Sequence, residues 1–245
     1  MKKPVGFDQK VTLEQLELTL REALQGTELP KVYQVLDEAL QGSIQGAKAR
    51  KNTLTILMKI WFRVDSSCAP LRQRALELSP SLLPNERFIL HWGMALLAYP
   101  FFRDIAHEMG TLFSLQDEVA SHQIGRKVKT LYGDRRRVEV AASAVLGSMK
   151  AWGVVEAGSD HLYRQRVQYA VGRSELKRWL TEVLLHAFGQ QWMVLELIPS
   201  APALFPFQFS LKAHELEETT LQLVRQGGNM TMVGVKQKRG AIIQE

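Results

Sequence analysis

The sequence predicts a mainly α-helical protein with a helical N-terminal domain, a winged helix-turn-helix and a small α+β C-terminal region. Three observations predict this class. Apolar residues recur at helical spacing through the first half of the chain. Two further helical segments are followed by two β-rich runs around a Gly-Ser-Asp turn. A last helix then precedes apolar, Pro-containing stretches. We therefore divide the chain into residues 1–113, 114–172 and 173–245.

The six helices of the first domain are predicted from apolar spacing and from residues that start and stop helices. Thr12 and Gln15 have the spacing of a capping box, and Gly26 ends that segment. Asn85 is the predicted N-cap of the fifth helix, which is apolar on most sides and therefore central. The predicted helices are residues 12–26, 30–41, 44–62, 70–78, 86–98 and 101–113.

The middle segment is predicted to begin with two helices joined by a short turn. Ser114 with Asp117 predicts the start of a helix over residues 115–131. The "YGD" turn follows, and Asp134 is the predicted N-cap of the next helix.

That second helix ends at Trp152, with Gly153 immediately after it. The runs "VVEAG" and "HLYRQRVQYAV" flank a Ser-Asp turn and predict a β-hairpin. Helix, turn, helix and hairpin in this order are typical of a winged helix-turn-helix.

The C-terminal region is predicted to combine one helix with short strands. A helix with a clean apolar face begins at Ser174. Alternating apolar residues predict a strand over residues 205–211, and residues 215–224 read as a weak helix or turn. "MTMVGV" predicts a last strand, and residues 236–245 a mobile tail.

Composition and charge limit the classes of protein that fit. Among 245 residues, 31 are Lys or Arg and 25 are Asp or Glu, an excess that suggests an anionic partner. The single cysteine, Cys68, excludes a disulfide within the chain and fits a reducing compartment. The N-terminal residues lack a signal-peptide pattern, and no apolar stretch is long enough to span a bilayer. We predict a cytoplasmic protein without membrane contact.

The stretch "GDRRRVEVAASAVLGSMKAWGVVE", residues 133–156, carries the strongest functional signal. Three arginines open its helix, where the macrodipole disfavours cations. Small residues, including Ser143, Gly147 and Ser148, then occupy the side opposite the apolar face, which carries Val138 and Trp152. Small residues and donors on an outward side suit a helix that lies in the DNA major groove.

Cations around this stretch define the candidate site. Three precede the "YGD" turn and three follow it, so positive charge is concentrated there. The hairpin adds two arginines and a tyrosine that could stack on a base. The candidate nucleic-acid-binding residues are Arg126, Lys127, Lys129, Arg135, Arg136, Arg137, Ser143, Lys150, Tyr163, Arg164 and Arg166.

Catalytic motifs are missing from the sequence. The six histidines show no paired metal-ligand spacing, and a lone cysteine cannot build a zinc cluster. No phosphate-binding loop or G-x-S-x-G motif is present, and Cys68 has no adjacent basic histidine. The sequence therefore predicts a protein that is not an enzyme and needs neither metal nor cofactor.

Three segments in order, "EALQGSIQGAKARKNTLTILMKIW", "ILHWGMALLAYPFFRDIAHEM" and "RRVEVAASAVLGSMKAWGVVE", carry a family resemblance. In helix order and apolar spacing the chain resembles the BrxA family of BREX phage-defence systems over roughly residues 30–157. The resemblance implies a helical domain similar to the antitermination protein NusB, followed by a part like a winged helix. It also implies a DNA-binding accessory role in bacterial defence.

Two other functions fit the same sequence. The predicted winged helix could dock another protein in a larger complex, with "IPSAPALFPFQF" as an apolar partner surface. Alternatively, the N-terminal helices could bind RNA through Lys48, Arg50 and Lys51. The sequence does not indicate an oligomeric state.

Overall fold

Buried side chains from all three predicted segments belong to one hydrophobic cluster. The computed structural model describes residues 3–158, 161–166, 168–216, 220–227 and 230–236. Nine α-helices and eight strands lie within these residues, which confirms the mainly helical class. The helices are α1 (Leu13–Leu24), α2 (Leu29–Gln41), α3 (Ala47–Trp61), α4 (Ala69–Leu78), α5 (Pro84–Ala98), α6 (Pro100–Phe113), α7 (Ser121–Tyr132), α8 (Arg136–Ala151) and α9 (Ser174–Ala187). The strands are β1 (Glu118–Ala120), β2 (Val155–Ala157), β3 (Leu162–Gln165), β4 (Tyr169–Ala170), β5 (Trp192–Val194), β6 (Phe207–Gln208), β7 (Leu221–Gln226) and β8 (Met230–Val235).

Local capping decides where the first helices start. At α1 the predicted capping box is present: Thr12 Oγ1 accepts from Gln15 N, and Gln15 Oε1 accepts from Thr12 N at 3.0 Å. The predicted N-cap Asn85 is wrong, because α5 begins at Pro84, two residues before the predicted start, and its N-cap is Leu83. Proline suits the first helical position, because a main-chain N–H there would have no partner within the helix. Glu86 Oε2 also accepts from Leu83 N at 2.9 Å.

The centre of the core is Trp92 on α5, which is fully buried. Its Nε1 donates to the main-chain oxygen of Ala203 at 3.0 Å, so the buried N–H is satisfied. Its ring packs edge-on against Phe102 of α6 and against Trp152, which follows α8. The N-terminal helices, α8 and the C-terminal region therefore meet around one side chain.

The middle segment contains a strand that the sequence did not predict. Residues 118–120 form β1, and the helix predicted from residue 115 begins only at Ser121, as α7. The reason is tertiary: Val119 is buried, and β1 pairs antiparallel with β3. β3 also pairs with β2, which gives a three-stranded antiparallel sheet in the order β1-β3-β2.

The C-terminal region differs most from expectation. The strand predicted over residues 205–211 is only β6, which pairs in parallel with β4. The weak helix or turn predicted over residues 215–224 is wrong from Leu221 onwards, because strand β7 begins there. β8 forms the predicted last strand and lies between β5 and β7. Of the predicted mobile tail, residues 237–245 lie outside the described residues.

Candidate nucleic-acid interface

Helix α8 has one buried side and one side open to solvent. Val138, Val145 and Met149 are almost completely buried against the core. We call the opposite side, which is exposed or half-buried, the α8 face. Its residues are Arg136, Arg137, Val140, Ser143, Gly147 and Lys150.

The segment of residues 3–11, which has no regular secondary structure and which we call the N-terminal arm, packs beside α8. Its apolar side chains alternate with exposed ones, and Val5, Phe7 and Val11 are buried. The Phe7 ring lies 5.2 Å from the ring of Tyr99 and 5.7 Å from that of Phe102, measured between centroids. The alternation is visible in "VGFDQKV", and it is the signal by which the sequence could have revealed the arm.

Hydrogen bonds tie both ends of the N-terminal arm to α8. Near the helix start, Arg135 Nη2 donates to the main-chain oxygen of Lys3 at 3.3 Å. Near its end, Val11 N donates to Ser148 Oγ at 2.9 Å, and Trp152 Nε1 donates to the Val11 oxygen, also at 2.9 Å. The arm therefore runs along the helix from its N-cap to its last turn.

The small residues of α8 have a structural role inside the chain. Ser148 was expected on the outward side, but it is fully buried beneath the N-terminal arm. A Cβ built on Gly147 would lie 3.7 Å from Cδ of Lys10, so the lysine stem crosses the helix at this glycine. A larger side chain at position 148 would push the arm away from the helix.

The first of the three arginines is used within the structure. Arg135 is the N-cap of α8, and its Nη2 donates to the main-chain oxygen of Tyr132 at 2.9 Å, at the end of α7. A cation is favourable there, because the carbonyl end of a helix carries negative partial charge. Asp134 was the expected N-cap, but the structure gives that position to Arg135 and no side chain caps the helix.

One lysine pairs with the two acids near the start of α8. Lys129 Nζ lies 3.0 Å from Asp134 Oδ1 and 2.5 Å from Glu139 Oε1. These hydrogen bonds, the one to Glu139 first, raise the pKa of Lys129. As a result, neither carboxylate pairs with the arginines that follow.

The eleven predicted residues divide into two groups. Six are exposed, and within the described part of the chain none of them has an ion pair: Arg126, Arg136, Arg137, Ser143, Lys150 and Arg166. The other five are engaged within the chain: Lys127, Lys129, Arg135, Tyr163 and Arg164. Lys127 Nζ, for example, lies 3.5 Å from Glu108 Oε2.

The β2–β3 hairpin offers less positive charge than expected. Arg164 stands between Glu118 of β1 and Glu156 of β2 in the sheet register, and it pairs with Glu118. Tyr163 is half-buried against the core, and burial raises its pKa. It is therefore less open for stacking on a base than expected. Arg164 and Arg166 are both exposed, and of these two Arg166 has no ion pair within the described residues.

Other groups in the chain serve the core. His91 is fully buried; its Nδ1 accepts from Trp61 Nε1 at 3.2 Å, and its Nε2 lies 3.2 Å from Glu17 Oε1. Within the described ranges, no group of three His, Cys, Asp or Glu side chains could hold a metal ion. Nor does any helix in those ranges combine the length and apolar character needed to cross a membrane.

On the surface proposed for RNA, Arg50 is engaged within the chain, whereas Lys48 and Lys51 are exposed. Arg50 lies 3.3 Å from Asp37 Oδ1 and donates to the main-chain oxygens of Ile44 and Gln45. The apolar run "ALFPF" is buried rather than presented to a partner.

Protein-family models, curated proteins and solved structures were each compared with the chain, and none of these comparisons gives a match. The chemistry of the α8 face is therefore the evidence for its function.

Proposed function

We propose that the chain binds duplex DNA through the α8 face, with α7, α8 and the β2–β3 hairpin acting as a winged helix-turn-helix. The order helix, strand, helix, helix and two strands, from α6 to β3, supports this interpretation. The small sheet in which β3 lies between β1 and β2 also supports it. In such a domain the second helix of the pair enters the major groove.

The observation that carries the proposal is the pair Arg136 and Arg137. Both are exposed in the first turn of α8, and within the described residues no acid pairs with them. Cations at this end oppose the helix dipole and lower helix stability. A phosphate bound there would interact favourably with both the arginines and the dipole.

The rest of the α8 face suits a groove. The helix has 16 residues, so it is about 24 Å long, and the major groove is about 12 Å wide. Val140 is 48% exposed between the arginines and Ser143, where an aliphatic side chain can contact a thymine methyl group. Ser143 can donate to a base edge, and Lys150 can bind a phosphate near the other end.

Fluorescence anisotropy with a labelled duplex tests the proposal. We expect Arg136→Ala combined with Arg137→Ala to weaken binding by about tenfold or more at low salt. The matched control is Lys48→Ala with Lys51→Ala, which removes two exposed cations from α3. Equal loss in both double variants would mean that general positive charge, rather than the α8 face, attracts the DNA.

Competition with unlabelled single strand and RNA separates duplex binding from the RNA-binding alternative. If RNA binds through α3, Lys48→Ala with Lys51→Ala should weaken RNA binding, whereas Arg136→Ala with Arg137→Ala should leave it unchanged. The resemblance to the BrxA family would place DNA binding by this chain in a phage-defence system, and the neighbouring genes are the observation that tests that role.

A further inference from the structure

We propose that the N-terminal arm is a second cationic part of the same interface, in which Lys10 and Lys3 bind the sugar-phosphate backbone beside the groove that α8 enters. This inference rests on the proposed DNA binding. It extends the site to residues more than 100 positions earlier in the sequence, which the sequence analysis did not include.

Lys10 carries charge onto the α8 face itself. Its stem lies against Gly147, which falls between Ser143 and Lys150 on the exposed side of the helix. The side chain is exposed, so the ammonium group can reach solvent while the methylenes stay packed. Lys10 and Lys150 therefore supply two cations to the second half of the helix.

Lys3 brings a positive charge to the start of the helix. Its Nζ lies 5.5 Å from the ring centroid of Tyr132, and its main-chain oxygen accepts from Arg135. Arg135 immediately precedes Arg136, so Lys3 adds to the cations at this end. Positions 135 and 148 are 13 residues apart, which corresponds to about 20 Å along the helix axis. The arm therefore supplies charge at both ends of the α8 face.

The arm is ordered before any ligand arrives. Three buried apolar side chains and the hydrogen bonds to α8 hold it in place. The arm has one acid, Asp8, which lies near Tyr99. Burial is the main cause that raises the pKa of Tyr99, and the negative charge of Asp8 raises it further. DNA binding would therefore cost little additional ordering of the arm.

Lys3→Gln combined with Lys10→Gln tests the inference by duplex anisotropy at several salt concentrations. We expect affinity at low salt to fall by about fivefold or more. The slope of log K against log salt should become shallower by about 1.8, the value for two phosphate contacts. The matched control, Lys31→Gln with Lys48→Gln, removes two exposed lysines from α2 and α3 and should change neither quantity.

The possible outcomes separate the two proposals. If the arm variant binds like the unmodified chain while Arg136→Ala with Arg137→Ala binds weakly, the arm inference is overturned and the proposed function stands. If the unmodified chain shows no duplex binding at low salt, the proposed function fails and the inference fails with it. Circular dichroism melting of the arm variant should match that of the unmodified chain, because both lysines are exposed.

Discussion

The hydroxyl of Ser148 accepts a hydrogen bond from the main-chain N–H of Val11 at 2.9 Å, across 137 residues of sequence. Ser148 and Val11 are both fully buried. The same hydroxyl donates to the main-chain oxygen of Ala144 at 2.9 Å. A small polar side chain therefore holds the N-terminal arm against α8, and the arm in turn defines one edge of the α8 face.

Ser148→Ala should destabilise the protein, because the buried N–H of Val11 loses its acceptor. We expect the free energy of unfolding to fall by about 1–3 kcal/mol, measured by urea denaturation. The matched control is Ser143→Ala on the exposed side of the same helix, which should change stability by less than about 0.5 kcal/mol. Equal effects of the two substitutions would contradict the role given to Ser148.

Removing the two free arginines should stabilise the protein slightly while it weakens DNA binding. Arg136→Ala and Arg137→Ala each relieve an unfavourable interaction with the N-terminal end of the α8 dipole, worth about 0.3–1 kcal/mol at low ionic strength. Thermal melting at low and high salt measures this gain, which should shrink as salt rises. A loss of stability in the double variant would show that the arginines support the fold.

Buried His91 should make the fold less stable at mildly acidic pH. Trp61 donates to Nδ1, so the neutral ring carries its proton on Nε2, which donates to Glu17. Burial lowers the pKa of His91 below its usual 6.5, although Glu17 acts in the opposite direction. As the pH falls through 6.5, the unfolded chain binds a proton that the folded chain excludes, and stability is lost.

Denaturation at pH 7.5 and 5.5 measures this effect. For a group with an unfolded pKa near 6.5, the loss between these two values reaches at most about 1.4 kcal/mol. His91→Gln removes the titrating group and should reduce the pH dependence by that amount. The same pH dependence in both proteins would contradict the assignment to His91.

Local sequence signals predicted the helices well, because caps and apolar spacing act over a few residues. Thr12 with Gln15 marks the start of α1, and Gly153, with a positive φ of 72°, follows the end of α8 as expected. Strand β1 was missed, because three residues are too few for alternation to be visible and its pairing partner lies more than 40 residues away.

The candidate site was predicted in part, because the cations could be located but not their partners. Arg135 and Arg136 are adjacent and look equivalent in the sequence. In the structure Arg135 bonds to the oxygens of Tyr132 and Lys3, whereas Arg136 is exposed. The alternation in "VGFDQKV" could have shown that the arm is partly buried, but not that it packs on α8, because Val11 and Ser148 are 137 positions apart in the sequence.

The salt dependence of duplex affinity tests the central claim, DNA binding by the α8 face, most directly. If the three cations of the α8 face, Arg136, Arg137 and Lys150, and the two lysines of the arm each neutralise a phosphate, log K should fall with log salt at a slope of about −4.5. Affinity would then drop by about 500-fold between about 50 and 200 mM salt, and Arg136→Ala with Arg137→Ala should reduce the slope by about 1.8. No duplex binding at 50 mM salt, or a slope that the arginine substitutions leave unchanged, would contradict the claim.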